Sequence, residues 1–228
     1  MTTPNRAIIW DMDGVLVDSG DLHYEAWREV AATELDIDFT RELFDRIFGM
    51  SNVDSLYHLL GNDANPEFVE RVGWQQDDVY RRLAAERVQP IPGAFELVRA
   101  CDAAGWRQAV ATSAPAETLD LILDKFDLRQ HFDVAVSADE VARAKPDPAL
   151  FILAAERLGT PREMCVVIED SLNGVRAARA AGMACLAVTT THDRSTLDGA
   201  NHIVDSLYDV TQADLAALLG GAQHSRER

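Results

Sequence analysis

The chain is expected to be an α/β protein: a Rossmann-like parallel sheet core, interrupted after its first strand by an inserted all-helical cap of the four-helix-bundle type. Three observations predict this. Short apolar runs such as Ile8-Ile9-Trp10 and Cys165-Val166-Val167-Ile168 read as strands buried on both faces. Beyond Pro90-Ile91-Pro92-Gly93, such runs alternate with helical periodicity closed by Gly105, Gly159 and Gly182, the rhythm of a parallel sheet with helices on both faces. Between Ser19 and Val88 that alternation stops, and only helical spacing is found.

Taken in order, the first strand runs into Asp11-Met12-Asp13-Gly14. Leu22, Ala26, Trp27, Val30 and Ala31 then recur at helical spacing, as do Leu43, Phe44, Ile47 and Phe48, and after them Val53, Leu56, Leu59 and Leu60. Phe68, Val69 and Val72, continued by Val79 and Leu83, give a fourth helix. Residues 18–89 are therefore assigned to the cap, and residues 1–17 and 90–228 to the core. In the core, Leu97, Val98 and Cys101 mark a helix, Gln108-Ala109-Val110-Ala111 a strand ending at Thr112-Ser113, and Leu119, Ile122, Leu123 and Phe126 a helix. Val134-Ala135-Val136 is the next strand, Leu150 to Leu158 a helix, and Cys165 to Ile168 the most strand-like run, ending in Glu169-Asp170-Ser171. A helix through Val175, Ala178 and Ala181 follows, then strands at Ala184–Val188 and His202–Val204. The last helix is expected from Gln212 to Leu219, with a polar, frayed end beyond.

The 228 residues carry a net charge of −17, which argues against a nucleic-acid partner, since phosphate backbones demand basic surface. An anionic substrate would need local cations to offset that field. No apolar run is long enough for a membrane span, and Met1 to Arg6 lacks the regions of a signal peptide. Cys101, Cys165 and Cys185 are scattered without metal-ligand spacing and read as small buried hydrophobes. The expectation is a cytoplasmic protein, a monomer or weak oligomer, acting on a small molecule.

Ligands of open parallel sheets bind at the carboxyl ends of strands. There the sequence places Asp11 and Asp13, Thr112 and Ser113, and Glu169 and Asp170, with Lys145 in the loop before the helix at Pro148. Asp11 and Asp13 share a side if the extended geometry persists past the strand. Each group alone could be a turn or a helix cap; their placement at one end of one sheet has a joint chemical reading. Asp11, Asp13 and Asp170 would gather around Mg²⁺, a hard cation suited to carboxylate oxygens, with Glu169 supporting the ion from one layer out. A carboxylate can attack phosphorus. Thr112, Ser113 and the following helix N-terminus would hold phosphoryl oxygens, and Lys145 would neutralise the attacking and transferring groups.

These segments, in this order, resemble the four motifs of the haloacid dehalogenase-like superfamily: Asp11-Met12-Asp13-Gly14-Val15-Leu16-Val17-Asp18-Ser19, Thr112-Ser113, Lys145-Pro146 and Glu169-Asp170-Ser171. The resemblance covers nearly the whole chain, helical insert included. It implies that Asp11 is the nucleophile, that Asp13 is the general acid/base, and that Asp13 meets the metal through its backbone carbonyl. Dehalogenases of the superfamily lack the second aspartate, so its presence here implies phosphate chemistry.

His23-Tyr24-Glu25-Ala26-Trp27 resembles the cap pattern of the β-phosphoglucomutase-like group, in which the position of His23 couples substrate binding to acid/base action. Gly49-Met50-Ser51-Asn52-Val53-Asp54-Ser55-Leu56 is similar to that group's specificity loop, which implies a substrate contact at Asn52. Mutases carry an arginine in this loop and a cap lysine for the second phosphate. Asn52 stands in place of the first, and no lysine lies near Trp74, Gln75 and Gln76; Arg46, Arg71, Arg81 and Arg82 are the cap arginines left to compensate. The expected activity is thus a Mg²⁺-dependent phosphatase acting on a small phosphorylated metabolite, plausibly a sugar phosphate, through an aspartyl phosphate. A β-phosphoglucomutase is the alternative. A phospho-receiver signalling domain is a remote one, since such domains are much shorter and lack a helical insert.

Overall fold

Ala7–Trp10 (β1) is buried along its whole length, as an apolar run feeding a central strand must be. The computed structural model, which describes residues 6–224, then turns the chain sharply. The N–H groups of Val15, Leu16 and Val17 all donate to the Met12 carbonyl, and Gly14 takes φ +76°, a conformation that favours glycine. Val17–Asp18 (β2) leads into four helices: Gly20–Val30 (α1), Arg41–Ile47 (α2), Asn52–Leu60 (α3) and Pro66–Arg87 (α4). Side-chain caps start the last three. Thr40 accepts from the Leu43 N–H, Ser51 from Asp54, and Asn65 from Glu67 and Phe68, with Pro66 in the first turn of α4.

Gln89–Pro90 (β3) returns antiparallel to β2, so the outgoing and returning chains form a two-stranded ribbon. The sequence pattern carries no signal for it: two-residue strands are too short to show alternation, and a proline argues against a strand except at an edge. The core then follows in order: Ala94–Ala103 (α5), Arg107–Ala111 (β4), Ala116–Lys125 (α6), Val134–Val136 (β5), Ala149–Leu158 (α7), Cys165–Glu169 (β6), Leu172–Ala180 (α8), Ala184–Val188 (β7), His202–Val204 (β8) and Gln212–His224 (α9). Helix α9 runs past the expected end at Leu219 to His224, and the remaining four residues of the polar end lie outside the described residues.

The six core strands are all parallel, in the order β5-β4-β1-β6-β7-β8. Successive residues of a strand face opposite ways, and the packing divides accordingly. Ile8, Trp10, Val110, Ile168 and Leu186 meet α5, α6 and α9 in one core, while Ala7, Ile9, Ala109, Val167 and Cys185 meet α7 and α8 in the other. Gln108, a bulky polar residue buried in β4, is satisfied: it accepts from the Trp10 indole (3.0 Å) and donates to the Val98 and His131 carbonyls. Helices α1–α4 enclose a third cluster around Trp27, Phe44, Ile47, Leu56 and Val72. Leu22, Ala26, Tyr80 and Ala84, on the other side of α1 and α4, join the first core instead, so these two helices tie the helical segment to the sheet. All three cysteines are buried and unpaired; burial pushes the Cys101 and Cys165 thiols up to about 12. Among the described residues no helix is long and apolar enough to cross a membrane.

Candidate active site

The strand order creates a crevice beside β1. After β1 the chain moves toward β4 and β5; after β6 it moves the other way, to β7 and β8. At such a reversal the loops diverge and leave room above the strand ends. Trp10 pairs with Ile168, and the Asp11 N–H still donates to the Ile168 carbonyl (3.0 Å). Asp11 and Glu169 therefore stand next to each other as the strands end, both buried. Two carboxylates so placed repel unless something offsets their charge.

Lys145 does so from the loop before α7. Its Nζ donates to Asp11 Oδ1 (2.6 Å) and Glu169 Oε1 (2.7 Å) and lies 4.8 Å from the centre of the Phe151 ring. Burial lowers the affinity of Lys145 for its proton, but the charges of Asp11 and Glu169 outweigh that and raise it overall, so the ammonium stays charged. The other Glu169 oxygen is saturated, accepting from the Asp170 N–H, the Ser171 N–H and the Ser171 hydroxyl at 2.9 Å each. A Cβ on Gly174 would collide with this carboxylate, so a glycine in the first turn of α8 is what lets Glu169 sit there.

One more carboxylate belongs to the group. Oxygens of Asp11, Glu169 and Asp170 all lie within 4.8 Å of one another. Asp170 is buried, and its Oδ2 has no hydrogen-bond partner; it packs where a side chain on Gly14 would otherwise stand. Burial, then repulsion from Glu169 and Asp11, pushes Asp170 far above the usual carboxylate range. Burial likewise raises Asp11 to about 7, against the attraction of Lys145. Three close carboxylates, one oxygen orphaned and one lysine for all of them: this donor set fits a hard divalent cation.

Asp13 stands apart from this group. The chain turns at Met12, and the Asp13 carboxylate, which lines the same cavity as Asp11, is engaged by side chains of α1 and α4. Asp13 Oδ1 lies 3.4 Å from His23 Nε2 and accepts from the Tyr80 hydroxyl (3.2 Å). His23 stacks flat on Tyr80 with ring centres 3.8 Å apart, and Gln76 Nε2 lies 3.5 Å from His23 Nδ1. Burial alone would raise the Asp13 pKa; the hydrogen bond and charge of His23, then hydrogen bonds from Ser19 and Tyr80, overcome it and hold Asp13 below the usual range. Tyr80 and Gln76 carried no recognised signal in the sequence. Both belong to α4, one helical turn apart, and only the packing of α4 brings Tyr80 to Asp13 and Gln76 to His23.

The remaining expected residues line the same cavity, which encloses about 510 Å³ between the strand ends and α1–α4, room for a small metabolite. Thr112 is buried, and its Oγ1 accepts from the Ala114 N–H (3.0 Å); Ser113 lies beside it on the cavity wall. The N-terminus of α6 is less free than expected, because the Ala116 N–H already donates to Asp139 (2.8 Å). Asn52 reaches the cavity, but its Nδ2 is directed into α4, toward Gln76 Oε1 (2.8 Å), Asp77 Oδ1 (2.7 Å) and the Gly73 carbonyl (3.3 Å). Its N–H groups are engaged there rather than offered to a ligand. Of the arginines considered as compensation, Arg71 pairs with Glu34, Arg81 with Asp78 and Arg82 with Glu29; neither these nor Arg46 line the cavity.

Comparison with known proteins agrees with this geometry. A family model described as haloacid dehalogenase-like hydrolase matches residues 5–182. A phosphorylated carbohydrates phosphatase of Thermotoga maritima is 36% identical over 182 residues, which cover 78% of this chain and 82% of the relative. Hexitol phosphatase B of Escherichia coli O157:H7 is 33% identical, with 94% and 99% covered. Among solved structures, CbbY from Rhodobacter sphaeroides in complex with phosphate superposes with a TM-score of 0.83 at 30% identity, covering 92% of this chain and 99% of the other.

Proposed function

We propose, since this chain belongs to the haloacid dehalogenase-like hydrolases, that it is a Mg²⁺-dependent phosphomonoesterase releasing phosphate from a small phosphorylated carbohydrate or similar metabolite. The observation that carries this reading is the buried meeting of Asp11, Glu169 and Asp170 around one lysine, with an orphaned carboxylate oxygen beside the first aspartate. Phosphatase-named relatives matched over most of both chains support it.

Asp11 attacks phosphorus, and the bond from phosphorus to the leaving oxygen breaks. That oxygen takes a proton from Asp13. Water then attacks the aspartyl phosphate, gives its proton to Asp13, and the bond to Asp11 breaks to free phosphate and the original carboxylate. Before substrate enters, Asp13 is held in its ionised form by His23 and Tyr80. Arrival of a doubly charged ester raises its proton affinity, so Asp13 takes up a proton from solvent before the acid step; once the leaving oxygen has that proton, Asp13 is again the base. Lys145 offsets the charge gathering at Asp11, and Thr112 with Ser113 stands where phosphoryl oxygens would bind. Asp11 and Asp170, backed by Glu169, would hold the Mg²⁺, which supplies charge neutralisation to the phosphoryl oxygens when bound. Helices α1 and α4 close the cavity from above and keep bulk water out.

Water rather than a second sugar hydroxyl is the acceptor in this reading. A mutase must grip a bisphosphate at both ends, and the cavity roof offers no lysine or arginine for the far one. Asp11→Asn should lower phosphate release from 4-nitrophenyl phosphate by at least about a thousandfold while leaving the fold intact, in line with loss of a covalent nucleophile. Wild-type turnover by that variant would refute the assignment.

A further inference from the structure

Resting on that reading, we infer that the loop after β7 is a further part of the metal site: Thr191 is a positioning residue that orients the Asp170 carboxylate for the divalent cation, and Thr190 fixes the turn against which Asp170 packs. The sheet brings this loop to the acids. Glu169 pairs with Ala187, so β6 and β7 end side by side at the same edge. A Cβ on Gly14 would stand 1.9 Å from Asp170 Oδ2 and 2.7 Å from Thr191 Oγ1. Carboxylate and hydroxyl therefore close on the same bare stretch of backbone from neighbouring strand ends. The Thr190 hydroxyl donates to the Gly14 carbonyl, which ties the loop to the turn that carries Asp13.

The loop is itself braced, as a positioning role requires. The Thr189 N–H donates to the Val204 carbonyl (3.0 Å), and the Thr189 hydroxyl to Asp205 Oδ1 (3.0 Å). Arg194 donates to the same Asp205 oxygen and to the Ile203 carbonyl, both at 2.8 Å. On either side of Thr190 and Thr191 the loop is thus held to the end of β8. Asp170, by contrast, has an oxygen without a partner, and the last torsion of an aspartate is soft. A carboxylate free to turn would serve Mg²⁺ poorly, since that ion accepts little departure from octahedral geometry. Burial, then Glu169 and Asp11, raise the proton affinity of Asp170; among the groups acting the other way, a hydrogen bond from Thr191 ranks ahead of the charge of Lys145. A donor that favours the ionised carboxylate favours the form a cation binds. Groups that orient a metal ligand in this way typically carry about 10–100-fold in metal affinity.

The test compares three variants of the intact protein: Thr191→Val, which keeps the branched shape and deletes the hydroxyl, Thr191→Ala, and Thr191→Ser, which keeps the hydroxyl. Mg²⁺ affinity is read by calorimetry without substrate. The Mg²⁺ concentration that gives half-maximal hydrolysis of 4-nitrophenyl phosphate is read beside it. Thr191→Val and Thr191→Ala should bind Mg²⁺ at least about tenfold more weakly than the wild type, and Thr191→Ser within about threefold of it. The loss of turnover in the first two should shrink as Mg²⁺ is raised, and the metal-free Tm should be similar in all four proteins. Should Thr191→Val fail to fold, Thr191→Ala against Thr191→Ser carries the comparison alone. Wild-type Mg²⁺ affinity in the variants without the hydroxyl, or an equal loss in Thr191→Ser, overturns the inference and leaves the phosphatase reading standing. Wild-type protein that binds Mg²⁺ yet hydrolyses no phosphomonoester would instead overturn the phosphatase reading.

Discussion

Two residues separate the charge problem of this site from its proton problem. Lys145 answers the first: it is the single cation between Asp11 and Glu169, at 2.6 and 2.7 Å. Removing one partner of a buried pair leaves the others uncompensated, which typically costs about 3–5 kcal/mol. Lys145→Ala should therefore lower stability by about 3 kcal/mol in the absence of divalent cations, read by denaturant unfolding, and added Mg²⁺ should recover part of the loss. Tyr80 answers the second. Its hydroxyl and the His23 ring together keep Asp13 ionised before substrate arrives. Tyr80→Phe keeps the stacked ring but deletes the donor, so the Asp13 pKa should rise. The limb of the pH–rate profile that Asp13 governs, alkaline for its acid step and acidic for its base step, should move up with it, and kcat should fall by about tenfold, within the range of general acid/base effects. A lower rate with an unmoved profile would mean that Tyr80 acts only as packing.

At the level of elements, α8 shows local preference yielding to the site. Alanine favours a helix over glycine by about 1 kcal/mol, so Gly174→Ala would ordinarily stabilise the first turn. A Cβ there would run into the Glu169 carboxylate, and that carboxylate holds Lys145 and the backbone of Asp170 and Ser171. The substitution should destabilise the protein by about 1–3 kcal/mol, as overpacking does, and weaken Mg²⁺ binding measured by calorimetry. A more stable, equally active Gly174→Ala protein would show that Glu169 has room to move. The ribbon of β2 and β3 works in the same sense: the Ile91 N–H donates to the Leu16 carbonyl (2.9 Å), and Val17, Val88 and Ile91 are buried, so the passage between sheet and helical segment is packed at both strands.

For the molecule as a whole, the acids of the cavity link stability to pH and to metal. Asp11 is raised to about 7 and Asp170 well above its usual value. A carboxyl whose folded pKa is raised contributes stability that is full below its unfolded pKa and is lost as pH rises through the folded one. In metal-free protein the contribution of Asp11 thus fades between about pH 4 and pH 7. A cation that binds the ionised carboxylates stabilises the folded state by mass action, and its effect should grow over the same interval. The rise in Tm on adding Mg²⁺ should be small near pH 5 and larger near pH 7.5, measured by thermal unfolding with and without chelator. A shift independent of pH would argue against binding at these acids.

How much was legible in the sequence follows from where the information lies. The parallel sheet, its helices and the helical insert were all written in local periodicity, because burial on both faces of a strand and one face of a helix imposes repeats that a linear pattern records. The motif residues were legible as well, since strand ends project into the same crevice whatever the details above them. The turn after Asp11, which gathers three N–H groups on the Met12 carbonyl, was not legible. Nor was the Tyr80 contact, the inward commitment of Asn52 or the outward pairing of the cap arginines. Each of these depends on how a distant helix is rotated and packed. By itself the sequence determined which carboxylate, hydroxyl and ammonium side chains stand at the strand ends; only the tertiary structure decided which of them meet and which are engaged by the helical segment, because that depends on distances between segments far apart in the chain.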